Sequence, residues 1–78
     1  MMMTLKDLAT ELADMYNSAE KGDKTTMIHL FAIKYATELD ELVGFSIKDL
    51  LEKADIHTSY VTEINKGRRL SKYVMPKV

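Results

Sequence analysis

Cysteine is absent from these 78 residues, which excludes a disulfide framework and thiolate metal sites as supports for so short a chain. No apolar run approaches the roughly 20 residues needed to cross a bilayer. Nothing near the N-terminus resembles an export signal, so the expectation is a cytoplasmic protein without membrane contact. Met1 to Met3 have no basic flank and no apolar continuation, and read as a peculiarity of the start or a frayed end. No segment sustains the two-residue alternation of a half-buried strand, which points to an all-α domain. A Gly-rich phosphate loop, a cysteine nucleophile and a paired-histidine metal motif are all missing, and His29 and His57 fall in separate segments. An enzyme is therefore not expected, and no residue set calls for a cofactor, a metal or a small-molecule ligand.

What is present is a 46% apolar composition, enough for a folded domain but close to the lower size limit for a self-sufficient core. Packing, helped by oligomerisation, has to supply the stability. Charge is unevenly spread. All 12 acids lie between Asp7 and Glu63, beside six lysines, so residues 1–65 sum to −6. The last 13 residues carry Lys66, Arg68, Arg69, Lys72 and Lys77 without an acid, a local +5 that is hidden in the net −1. Such a segment is either a solvated basic tail or a handle for phosphates.

Four segments have helical periodicity, predicting a small four-helix domain. The first runs over 5–18, with Thr4 and Asp7 spaced as a capping box and Leu5, Leu8, Leu12, Met15 and Tyr16 on one face. A turn centred on Gly22 follows. The second helix is predicted over 26–43, closed by Gly44, with Ile28, Phe31, Ala32, Tyr35, Leu39, Leu42 and Val43 along one side. Met27, Leu30 and Ile33 add a second apolar strip, which suits a helix packed on two sides. His29 lies in this stretch without ligand partners and is assigned a structural role. Glu38, Asp40 and Glu41 read as a solvated face, and beyond the terminal Met1 to Met3 the scattered Met15, Met27 and Met75 read as core and tail packing.

Two short helices close the pattern. Ser46 and Asp49 are spaced as a second capping box for a helix over 47–54, whose inward residues are Ile47, Leu50, Leu51 and Ala54. After Asp55 and Ile56, a helix over 58–66 buries Val61 and Ile64, with Asn65, Lys66 and Gly67 expected to end it. Residues 68–78 form a basic tail in which Pro76 stops regular structure.

The stretch from about Ile33 to Arg69 resembles the helix-turn-helix of phage Cro and lambda-repressor-like regulators, including the xenobiotic-response-element group. The resemblance rests on Gly44-Phe45-Ser46, Leu50-Leu51, Ile56, Ser59-Tyr60-Val61 and Ile64, followed by Lys66-Gly67-Arg68-Arg69. It gives the first helix no counterpart. It implies a recognition helix in the major groove of double-stranded DNA, with Thr58, Ser59, Thr62 and Glu63 near base edges and His57 at phosphate. Lys66, Arg68 and Arg69 would hold the backbone. Three positions depart from that family: Ile47 replaces a common phosphate-contacting glutamine, Asp55 replaces the turn glycine, and no room is left for the helices that ordinarily follow.

The function implied is that of a small transcriptional regulator, a homodimer on paired half-sites, associated with the nucleoid. The alternative is a protein-interaction adaptor that keeps the fold and uses its acidic surface for a basic partner.

Overall fold

The computed structural model describes residues 3–42 and 45–77. Among them are five α-helices and no strand, as the missing alternation implies: α1 (Leu5–Ser18), α2 (Lys24–Lys34), α3 (Ala36–Asp40), α4 (Ile47–Lys53) and α5 (Val61–Leu70), with a 3₁₀ turn (Thr58–Tyr60) leading into α5.

Helix α1 starts where the capping box places it. The Thr4 hydroxyl accepts the Asp7 N–H at 3.1 Å and the Asp7 carboxylate accepts the Thr4 N–H at 3.0 Å. The backbone bond from Thr4 holds the Asp7 carboxyl below its usual range, because only the charged form accepts fully. At its other end the Lys24 ammonium donates to the Tyr16 carbonyl at 2.9 Å and lies 4.6 Å from the Tyr16 ring centroid. The link adds a charged donor to a carbonyl at the helix end that already accepts the Ala19 N–H at 3.3 Å. Gly22, at φ +98, then lets the chain turn tightly, closed by the Asp23 N–H on the Glu20 carbonyl at 2.9 Å.

The predicted long second helix is two helices. Its backbone breaks at Tyr35 (φ −110, ψ 23), with α2 on one side and α3 on the other. Neither glycine nor proline marks the break. Tyr35 is held by the α2 core and by α1: its ring packs 5.1 Å from that of Phe31, and its hydroxyl donates to Glu11 at 3.4 Å. The predicted end of that helix, at Val43 and Gly44, lies outside the described residues, as do Met1 and Met2.

The core is built from every helix. Leu8 and Leu12 of α1, Ile28 and Phe31 of α2, Leu50 and Leu51 of α4 and Ile64 of α5 are fully buried, joined by Ala9, Ala32, Leu39, Ala54 and Ile56. Each large side chain so placed contributes about 1.5–3 kcal/mol. No charged or polar residue among those described is buried as a whole.

The turn between α4 and α5 is a double closure. The Asp55 N–H donates to the Glu52 carbonyl (3.1 Å) and the Ile56 N–H to the Leu51 carbonyl (2.9 Å), with Leu51 and Ile56 both buried beneath. The geometry needs a left-handed residue between them, and Asp55 supplies it at φ +60. Aspartate tolerates that conformation better than most L-residues, yet glycine adopts it without cost. Asp55→Gly is accordingly expected to raise stability by about 0.5–1 kcal/mol, checked by the denaturation midpoint at unchanged denaturant slope. A lower midpoint would mean that the Asp55 side chain does more than tolerate the turn.

Candidate nucleic-acid interface

The surface of interest is the outer side of the segment from Thr58 to Leu70. It continues four residues beyond the predicted end at 66, and Gly67 is the reason. Rather than ending the helix, Gly67 is buried inside it, where α5 packs on α2. A Cβ there would fall 2.5 Å from the Ala32 Cβ and 2.7 Å from the His29 carbonyl oxygen. The missing side chain is what allows α5 to lie on α2, its most extensive contact.

Three further contacts set the helix in place. At its start, Tyr60 meets Tyr16 of α1 edge to face, with centroids 5.6 Å apart and hydroxyls 3.4 Å apart. Holding the Tyr16 proton in that bond raises its pKa. In the middle, His29 Nε2 of α2 lies 2.8 Å from Glu63 Oε1. At the end, Arg68 reaches Asp40 of α3 at 2.5 Å and Asn65 at 3.2 Å.

These contacts divide the sequence-derived candidates into two groups. Ser59, Thr62, Lys66 and Arg69 are exposed and recur at three- and four-residue spacing, so they form one outward stripe with two hydroxyls at the start and two cations at the end. His57 is exposed beside them and Thr58 is half-buried. The Ser59 N–H donates to His57 Nδ1 at 3.0 Å, capping the 3₁₀ turn. In the neutral ring the proton is then on Nε2, which is left as a donor.

Glu63 and Arg68 point elsewhere. The Glu63 side chain is 22% exposed and engaged by His29 and by Lys66 at 3.7 Å, so its charge is answered within the protein. The Arg68 side chain is 32% exposed and spans from α5 to α3. Sequence reasoning missed His29, Asp40 and Asn65 as the partners of these two residues. Asp40 lies 28 residues from Arg68 and His29 lies 34 from Glu63, distances at which no local pattern signals contact. Lys72, one of the cations of the basic C-terminal segment, joins Asp40, Asn65, Arg68 and Arg69 around a shallow depression and carries the basic area past the end of α5.

The hydrogen bond from His29 holds the Glu63 carboxyl below its usual range, with the nearby Lys66 charge adding to the effect. A depressed carboxyl pKa gives stability that is complete above the unfolded-state value and disappears as pH falls through the folded one. Glu63→Gln should therefore differ from the parent at neutral pH, with the difference vanishing on acidification, as read by thermal melts over an acidic pH series. A difference that stayed constant down the series would assign the effect to packing.

Among the described residues no helix is long and apolar enough to cross a membrane, and no group of three His, Cys, Asp or Glu is placed to hold a metal ion. Comparison with protein families matches this chain to the HTH-like domain over residues 4–77. The match takes in α1, which the Cro-like resemblance left without a counterpart. No curated protein and no solved structure was found to match.

Proposed function

The chain belongs to the HTH-like domain family, and from that premise we propose that it binds double-stranded DNA sequence-specifically, laying the segment from Thr58 to Leu70 in the major groove. The observation that carries this is the outward stripe of Ser59, Thr62, Lys66 and Arg69 on a helix fixed by three others. Hydroxyls at the helix start suit base edges, since Ser and Thr donate or accept and the Thr methyl meets thymine. Cations one and two turns further on suit the phosphates that flank the groove.

Within this mode the eight candidates take different parts. Ser59 and Thr62, with Thr58 beside them, read bases; His57 donates from Nε2 to a phosphate; Lys66 and Arg69 hold the backbone. Glu63 and Arg68 act through the fold, the first by fixing α5 on α2 and the second by fixing its end on α3. The finer kinship is with Cro and lambda-repressor-like regulators, through the short α4, the left-handed turn and the recognition helix. The role is that of a small cytoplasmic transcriptional regulator rather than an enzyme. A single module touches too few bases to be selective. Two copies a helical turn apart, about 34 Å, would roughly double the recognition energy.

Selection of bound duplexes from a random pool at moderate salt, followed by footprinting, tests the proposal. The expected product is a palindrome with half-sites one turn apart. Recovery of no enriched sequence, together with duplex affinity that does not change with salt, would leave the protein-interaction adaptor as the function of this fold.

A further inference from the structure

We propose that the groove between α1 and α2 receives the C-terminal tail of a second copy of the chain, the two copies exchanging tails reciprocally. The inference rests on the paired-copy reading above and names the surface that joins the copies.

The groove, of ≈ 580 Å³, has a floor that includes the half-buried Met15, Met27 and Leu30. Asp14, Glu20 and Asp23 are among the acids at its rim, against the one cation Lys34. The tail is its complement in both respects. Tyr73 is 82% exposed and Met75 is 89% exposed, the largest exposures among the bulky apolar residues described. Lys72 and Lys77 bracket them, and no acid follows Glu63. Dimensions agree as well. Two helical turns of groove measure about 10 Å and three extended residues, Tyr73 to Met75, also span about 10 Å.

The tail that fills the groove has to come from another molecule. Helix α5 lies over His29 and Ala32, whereas Met27, Leu30 and Lys34 are on the opposite side of α2 at about 100° per residue. Tyr73, Val74 and Met75 of the tail that continues from α5 stay exposed in their own chain. A reciprocal exchange uses the same two surfaces on both partners, so it closes at two copies. It also covers the exposed Tyr73 and Met75, which a lone regulator would leave in water.

A charge swap tests this. One full-length variant carries Asp14→Lys and Glu20→Lys in the groove; the other carries Lys72→Glu and Lys77→Glu in the tail. All four side chains are exposed and form none of the fold's hydrogen bonds among the described residues, and circular dichroism with thermal melts checks that each variant is folded. In sedimentation equilibrium the parent is expected to dimerise, and each variant alone to dimerise at least about tenfold more weakly, because like charges meet at both contacts. An equimolar mixture is expected to regain the parent's association, since both contacts of the mixed pair are complementary. A monomeric parent, variants that dimerise as the parent does, or a mixture that stays monomeric would each overturn the proposal. Binding of the groove variant to a duplex with a single half-site is measured in parallel and should match the parent's. Tail exchange without duplex binding would remove the DNA-binding proposal alone, and duplex binding by a parent that stays monomeric in sedimentation would remove tail exchange alone.

Discussion

Replacing Gly67 by alanine is expected to destabilise the domain by about 2–3 kcal/mol, the upper part of the cost of forcing a methyl group into a filled contact. The two nearest obstacles are the Ala32 Cβ, at 2.5 Å from the added carbon, and the His29 carbonyl oxygen, at 2.7 Å. Neither is the end of a flexible side chain, so α5 must move away from α2. The gain in helix propensity, about 1 kcal/mol, offsets only part of that strain. A domain of this length has about 4–12 kcal/mol in total, so the loss is a large fraction of it. The thermal midpoint should fall by about 10–20 °C. Removing one obstacle should return part of the loss: Ala32→Gly in the Gly67→Ala background is expected to couple favourably by about 0.5 kcal/mol or more, with the His29 carbonyl still in the way. An unchanged midpoint in the single variant would show that the two helices are not in close contact in solution.

The largest effect on binding is expected from Lys66→Glu combined with Arg69→Glu. Reversing two phosphate contacts should lower affinity for every duplex by about two orders of magnitude at low salt and make the dependence of log affinity on log salt shallower by about 2. Both residues are exposed, so the fold should survive, and helicity together with the thermal midpoint verifies it. Lys66→Gln with Arg69→Gln controls for the new carboxylate beside Glu63. Ser59→Ala or Thr62→Ala should instead change which sequences are preferred, leaving the salt dependence as it was. A salt dependence unaltered by the double reversal would contradict the placement of phosphates along this stripe. Arg68 is a poor choice for the same experiment, because its replacement breaks the links to Asp40 and Asn65 and confounds affinity with stability.

Local signals carried well from sequence to structure. Both capping boxes form as the spacing of Thr4 with Asp7 and of Ser46 with Asp49 requires, since each spans only four consecutive residues. The all-α class, the bounds of α1 and the burial of Leu50, Leu51 and Ile64 follow from periodicity, whereas Val61, expected to be buried with Ile64, is half-buried. The left-handed residue, Asp55, stands where the resemblance to Cro-like regulators places the turn glycine.

What periodicity could not convey is anything that depends on a distant partner. Gly67 carries the local signature of a helix end, and only the approach of α2 from more than thirty residues away turns it into a helix interior. Tyr35 carries no local signal for interrupting a helix, and its hydroxyl's partner, Glu11, lies on another helix. Glu63 and Arg68 look like surface groups in sequence, and Asp40 like part of a solvated acidic run, until His29 and α3 are in place. The helical stripe was legible; which of its neighbours were committed to holding it was not.

One consequence of the way α5 is seated concerns portability. Its supports come from Tyr16, His29, Ala32 and Asp40, all of which precede the two-helix motif in the chain. Residues 46–70 are thus not a cassette that carries its own orientation. Grafted onto a foreign scaffold they would keep the turn at Asp55 and lose the angle at which Ser59 and Thr62 are presented, unless the recipient also supplied a small residue opposite Gly67 and an acceptor for Arg68.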